Sequence, residues 1–260
     1  MITVNTKIFF DLLIKAIQPK TLLDIGSMDG SDAMKLKKLS PESNCFAFEA
    51  NPYNYNTMIQ DDCLKKSKIN IINKAISDVD GKVSFYVAKQ DADQNDWRKG
   101  TSSLLKRGSK ENNIEEDLIE VEASTLNSFI GQNQFDQCAL WIDVEGAAYQ
   151  VISGANLIAD KIIVGHIEVE ETPVWAEQKD ANAVKKLLHD YGFLCIARGR
   201  GRNQHDLVFI RKELSENKFV KIILYASLIL TIIKKYFGKI MARPFIYMFF
   251  VMTPRGCIKF

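Results

Sequence analysis

The sequence predicts an α/β protein built on an open, doubly wound sheet, and three stretches predict it. In 21–30, Thr-Leu-Leu-Asp-Ile-Gly-Ser-Met-Asp-Gly, apolar residues run into a turn at Gly26, and Gly30 opens a helical segment over 31–39. Such a turn lies at the carboxyl end of a parallel strand, where open sheets bind their ligands. A second apolar strand, predicted over 44–50, carries Glu49 about 20 residues further on, the spacing at which a carboxylate accepts both ribose hydroxyls. Later, Ala139-Leu140-Trp141-Ile142 runs directly into Asp143-Val144-Glu145-Gly146. Two carboxylates at the end of a buried-type strand are costly unless they are hydrogen-bonded or face a cation.

The glycine loop departs from the dinucleotide pattern G-x-G-x-x-G, because Met28 holds the middle position. A side chain there crowds a pyrophosphate, so a ligand without phosphates on that loop fits better. S-adenosylmethionine is such a ligand, and its cationic sulfonium would also answer Asp143 and Glu145. Glu49 would repel a 2′-phosphate, which disfavours NADP. A plainer reading makes Glu49 a helix-start charge, with Asn51 as the cap and Pro52 at the first helical position.

Composition narrows the class. The net charge is +2, yet eight basic residues and no acidic ones lie from Lys218 onward. Removing those eight from +2 leaves −6 for residues 1–217, unlike a nucleic-acid binder with its basic face. The five cysteines are scattered and odd in number, with no C-x-x-C pair. Neither structural zinc nor a disulfide framework is expected, nor any other metal site, and the cytoplasm is the simplest compartment. The apolar run 8–17 is broken by Asp11 and Lys15, so 1–19 reads as an amphipathic helix stopped by Pro19, not as a signal peptide.

In chain order, a helix is predicted over 53–66 and a strand over 69–72, followed by Asn73-Lys-Ala-Ile-Ser-Asp78. Val83, Phe85 and Val87 alternate with polar residues as in a half-exposed strand. The polar stretches 89–100 and 106–116, around Thr101-Ser-Ser-Leu-Leu105, are too long for a simple connection and suit a substrate loop. A strand over 118–123 and a helix over 126–130, capped by Ser124 or Thr125, come next. After the 139–142 strand follow a helix over 147–152 and a strand over 161–169. That strand puts His166 and Glu168 on one side, with Glu170 beyond. A helix over 181–191 and strands over 193–197 and 207–210 close the domain, with a basic, solvated hairpin loop at 198–202.

The tail, 214–260, holds two apolar runs, 219–233 and 245–252, separated at Arg243-Pro244. Neither clearly reaches the length of a spanning helix. With basic residues unopposed, the reading is an appendage of membrane-associated helices, making peripheral contact through 219–252 with the negatively charged inner face of a membrane. Two helices packed on the core or on a second copy in a homo-oligomer, or one marginal spanning helix, are the alternatives.

Taken together, Asp24-Ile25-Gly26 with Gly30, Phe48-Glu49-Ala50-Asn51-Pro52, Asn73-Lys-Ala75-Ile-Ser-Asp78, Thr101-Ser-Ser-Leu104 and Trp141-Ile-Asp143-Val-Glu145-Gly146-Ala147 resemble the FkbM-type methyltransferases. The resemblance covers residues 20–213, with Ala50 where many members carry proline. It implies an S-adenosylmethionine-dependent class I methyltransferase with a seven-stranded, mostly parallel Rossmann-like sheet and helices on both faces. It implies that Asp24, Gly26 and Gly30 shape the cofactor loop, that Glu49 binds the ribose and that Asp78 lies by the adenine. Ser27 in the loop and Asn51 beside Glu49 join them as cofactor-binding candidates. Asp143 and Glu145 are implied at the junction of cofactor and acceptor, and His166 is the third candidate for catalysis. The implied reaction is O-methylation of a sugar, glycan or small metabolite. Rival readings are a non-catalytic, membrane-attached scaffold of the same fold, a nucleic-acid methyltransferase, for which no base-flipping Asn/Asp-Pro-Pro-Tyr/Phe motif is present, and an NAD-dependent oxidoreductase, disfavoured by Met28.

Overall fold

The computed structural model describes residues 1–89, 97–108 and 114–258, with the side chains of 97, 234, 235 and 237–243 left aside. Parts of the two polar stretches, 90–96 and 109–113, thus lie outside the described residues. The chain begins with β1 (Ile2–Thr3), α1 (Thr6–Ile17), β2 (Thr21–Ile25), α2 (Ser31–Leu39), β3 (Asn44–Phe48), α3 (Pro52–Met58), α4 (Asp62–Lys66) and β4 (Ile69–Ile72). It continues through β5 (Ala75–Ser77), β6 (Gly81–Ala88), β7 (Glu116–Thr125), α5 (Leu126–Asn133), β8 (Cys138–Ile142), α6 (Ala148–Ser153) and β9 (Ile162–Glu170). It ends with α7 (Ala181–Asp190), β10 (Phe193–Arg198), β11 (Gln204–Arg211) and α8 (Lys218–Met252).

The main sheet is eight-stranded, in the order β1-β10-β11-β9-β8-β2-β3-β4. Its neighbours are parallel except that β11 runs antiparallel to both β9 and β10. The expected doubly wound sheet is therefore present, extended at one edge by β1. That two-residue strand lies inside the segment expected to be only a helix, and it is too short to show a period. Strand β2 is buried at all five positions, as a central parallel strand covered on both faces must be. Leu22 joins the core against α1, α2 and α8, while Leu23 and Ile25 join the core against α5, α6 and α7. Ile25 stands opposite Phe48 on one side and Ile142 on the other. This register brings the carboxyl ends of β2, β3 and β8 level, which sets Gly26, Glu49 and Asp143 side by side.

A second sheet, β5-β7-β6, stands apart from the first. Phe85, Val87, Ala75 and Ala123 form its small core together with Ala50. The helix expected over 53–66 is two helices. Asp61 interrupts it, because its side chain accepts from the backbone amides of Cys63 (2.7 Å) and Leu64 (2.9 Å) and so caps α4.

The tail differs from expectation. It forms one continuous helix, α8, that passes through Pro244 instead of breaking there. Val220, Ile223, Ala226, Ser227, Leu230 and Thr231 are buried. The Asn5 amide donates to Thr231 Oγ1 (2.9 Å), Arg200 donates to the Thr231 carbonyl, Lys15 donates to the Phe250 carbonyl, and the Ile258 amide donates to the Ala16 carbonyl. Apolar helices look alike in sequence whether they meet lipid or protein; here one face of α8 packs on α1. Among the described residues of α8, Ile222, Tyr225, Ile229 and Ile232, and toward its end Tyr236, Tyr247, Val251 and Met252, stay exposed. Among the described residues no helix is long and apolar enough to cross a membrane. Leu230→Ala should therefore cost about 2–5 kcal/mol in urea unfolding, as buried Leu→Ala changes do. The half-exposed Ile229→Ala should be nearly neutral, and equal small effects would mean that α8 does not pack.

Candidate active site

The loop after β2 is held by backbone hydrogen bonds and by two buried carboxylates. The amides of Gly26 and Ser27 both donate to the Phe48 carbonyl (3.0 and 2.9 Å), and the Asp143 amide donates to the Ile25 carbonyl (2.9 Å). Gly26 has a φ of +82°, and a Cβ there would lie 1.8 Å from the Asp143 carbonyl oxygen. Glycine is thus required twice over, by conformation and by space. Asp24 lies beneath the loop. Its Oδ2 accepts from Ser27 Oγ (2.6 Å) and from the Ala33 amide (3.1 Å), tying the loop to the first turn of α2. Burial pushes the Asp24 carboxyl up to about 7. Asp24 and Ser27 are both buried and occupied with each other, so they shape the loop from below. Gly30, with a φ of +77°, lets the chain pass the Leu64 side chain.

Glu49 clasps two loops. Its Oε2 accepts from the Met28 amide and its Oε1 from the Asn51 amide, both at 2.7 Å. Burial pushes this carboxyl up to about 7 against those two hydrogen bonds. Each oxygen keeps a second lone pair for a ligand hydroxyl. Asn51 is fully buried and caps α3, accepting from the Tyr53 amide (3.0 Å). The two sequence readings of this stretch hold together: Asn51 caps the helix while Glu49 faces the cleft.

That cleft is lined by Gly26, Met28 and Glu49 together with Asp143, Val144 and Glu145. Its other wall comes from the second sheet and the segment after it, through Lys74, Phe85, Lys99, Ser102 and Leu104. The middle stretch read as a substrate loop therefore supplies part of the wall. Asp78 is not among the lining residues; it is exposed and accepts from Ser77 Oγ (3.1 Å).

Asp143, Glu145 and Glu168 bring carboxylate oxygens within 4.8 Å of one another, an arrangement able to hold a metal ion. Glu145 sits in the left-handed region, with a φ of +48°. Ser103 Oγ donates to its carbonyl (2.6 Å), and Gly146, at a φ of +88°, passes under the Trp175 ring. Burial, then the charges of Asp143 and Glu170, push Glu145 up to about 8. Burial and neighbouring carboxylates likewise raise Asp143 and Glu168, with Lys7 opposing the rise at Asp143. Glu168 Oε1 accepts from Gln204 Nε2 (2.6 Å). Lys7, at the start of α1, sits 5.2 Å from the centre of the Trp141 ring.

His166 does not line the cleft. It is buried, stacked on Trp141 with ring centres 4.0 Å apart and planes within 5°, and its Nε2 is 3.7 Å from Asp206 Oδ2. Burial lowers its pKa to about 4, so it is neutral near pH 7. Glu168 is the group that residue-by-residue reading passed over. The signal was present in its period-two spacing from His166, but the face of β9 toward the cleft is set by pairing with β8, where the register shifts between Cys138 and Ala139.

A glycine-cornered loop after β2, a carboxylate after β3 and an acidic turn after β8 thus meet at one cleft of an α/β fold. The family model described as the methyltransferase FkbM domain matches residues 24–195. The chain belongs to the FkbM methyltransferase family and is an S-adenosylmethionine-dependent methyltransferase. It is similar to the 2-O-methyltransferase NoeI of Sinorhizobium fredii (strain NBRC 101917 / NGR234), 26% identical over 178 residues, which cover 65% of this chain and 71% of NoeI. Distant likenesses among solved structures include the N-terminal domain of EvdMO1 with SAH bound (8% identity, 80% and 82% of the two chains, TM-score 0.45). Another is precorrin-6y C5,15-methyltransferase from Geobacter metallireducens GS-15 (13% identity, 78% and 86%, TM-score 0.40).

Proposed function

We propose that the chain transfers the methyl group of S-adenosylmethionine to a hydroxyl of a sugar, glycan or small metabolite. The observation that carries this reading is that Glu49, just after β3, and Asp143 and Glu145, just after β8, line one cleft on either side of the Gly26 turn. With the ribose on Glu49, the sulfonium end of the cofactor points toward the two carboxylates. The acceptor oxygen forms the new O–C bond as the C–S bond breaks and its electron pair returns to sulfur. The hydroxyl proton leaves to a carboxylate of the pair. Rate comes from in-line positioning and from proton removal. The name of the similar 2-O-methyltransferase supports a hydroxyl acceptor.

The test begins with calorimetry of S-adenosylmethionine and its demethylated product on the full chain, followed by methyl transfer from labelled cofactor to a panel of sugars. No binding by the folded protein would overturn the cofactor pose.

A pH dependence follows from Glu49. Its folded carboxyl, raised to about 7, must be ionised to accept two ribose hydroxyls. Cofactor affinity should thus rise with pH through that value and fall below it, making binding about tenfold weaker at pH 6 than at pH 8. Glu49→Gln should bind weakly at both pH values with no slope. A flat wild-type profile would remove Glu49 from the ribose.

A further inference from the structure

We propose that Asp143, Glu145 and Glu168 hold one divalent cation of the magnesium or manganese type, and that this cation receives two adjacent hydroxyls of the acceptor. The proposal deepens the acceptor reading above and rests on it for the diol. Spacing is the first support. Hard cations hold oxygen ligands at about 2.0–2.6 Å, so opposed ligands stand about 4–5 Å apart. The three carboxylate oxygens lie within 4.8 Å of one another. The second support is Glu170, two residues along the same face of β9 from Glu168. It is 2% exposed and its Oε1 has no hydrogen-bond partner. Its other oxygen accepts from Gln178, whose Oε1 in turn accepts from the amides of Val174 and Trp175, fixing the carboxylate in place. A buried carboxylate oxygen left without a partner next to that cluster is satisfied when a proton or a cation enters, and the spacing of the three ligand oxygens favours the cation.

Position separates the cation from the cofactor. Asp143 and Glu145 line the cofactor cleft, whereas Glu168 does not. The cluster therefore extends beyond the residues that line the cleft, and we place the acceptor there. Three carboxylates leave open positions on a six-coordinate ion, and two vicinal hydroxyls fill two of them as a chelate. A lone hydroxyl would share those positions with water and gain no chelate, so the acceptor class the site favours is a diol, as in an unsubstituted sugar ring. The carboxylates then act on the hydroxyl through the ion as well as directly.

The test uses full-length protein freed of metal with EDTA. Manganese is titrated and followed by electron paramagnetic resonance, with demethylated cofactor binding measured alongside. The expected result is one manganese per chain, displaced by magnesium, with affinity at least tenfold lower in Glu168→Gln. Cofactor affinity of that variant in the absence of metal should stay within about threefold, since Glu168 lies outside the cleft. A folded, cofactor-binding wild-type protein that takes up no manganese at millimolar concentration overturns the proposal, whatever the variant does. So does manganese binding unchanged in both Glu168→Gln and Asp143→Asn. Sugar methylation undiminished by EDTA would sink the cation site and leave the acceptor reading standing. Stoichiometric manganese binding without methylation of any sugar would keep the site and sink the acceptor reading.

Discussion

Replacing Gly26 by alanine should abolish cofactor binding. The added methyl lies 1.8 Å from the Asp143 carbonyl oxygen, well inside van der Waals contact, and the backbone is at a φ of +82°. The left-handed conformation alone costs alanine about 1–2 kcal/mol. The collision is worse, because the atom met is backbone and cannot rotate away. Relief requires the end of β8 to move from the end of β2, giving up the hydrogen bond from the Asp143 amide to the Ile25 carbonyl. The amides of Gly26 and Ser27 would also lose their shared acceptor on Phe48. Calorimetry should show affinity for the demethylated cofactor reduced by more than about a hundredfold, roughly 2.7 kcal/mol, with a lowered melting temperature. An alanine variant that binds within threefold of wild type would show that the loop adapts in a way this packing forbids.

The second large effect is on turnover. Glu145→Gln keeps the size and the hydrogen-bonding reach of the side chain but removes its ability to take a proton or carry charge. Loss of a positioned acid–base group typically costs 10²–10⁴-fold. The amide should therefore lower the rate of methyl transfer in a single turnover by about that factor, and Asp143→Asn should do the same. Cofactor affinity should change far less, because Glu49 and the Gly26 loop hold the nucleoside end. Transfer at the full wild-type rate in both variants would mean that neither carboxylate touches the acceptor hydroxyl.

How much of this could be read from the chain depended on whether the constraint was local. Gly26, Gly30 and Glu49 answer to the geometry of one turn and one strand end, and their neighbours in sequence reveal them. Asp143 and Glu145 stand out because charge so close to an apolar strand is expensive wherever that strand lies. Glu168 answers to the pairing of β9 with β8, and no window of sequence contains that register. Lys99, Ser102 and Leu104 were legible as part of a substrate-loop stretch, but which of its residues face the cleft depends on how the second sheet packs beside Ala50. The break between α3 and α4 was legible in Asp61 as a capping residue, but the helical period on either side masked it. For α8 the pattern was legible as apolar, and packing on the core was among the alternatives it left open. A stripe of isoleucine and leucine carries no mark that separates lipid from the side of α1.

The separateness of the second sheet has a consequence for how such an enzyme diversifies. The nucleoside end of the cleft is built into the main sheet, where Gly26 and Asp143 restrict one another and neither position drifts alone. The opposite wall hangs on β6, β7 and the segment between them, which share only a small core with Ala50. Insertions, deletions and exchanges between 89 and 116 can accumulate there while the parallel strands keep their register. On the proposed reading, chimaeras exchanging this segment between relatives should inherit acceptor preference from its donor and methyl-donor affinity from the recipient.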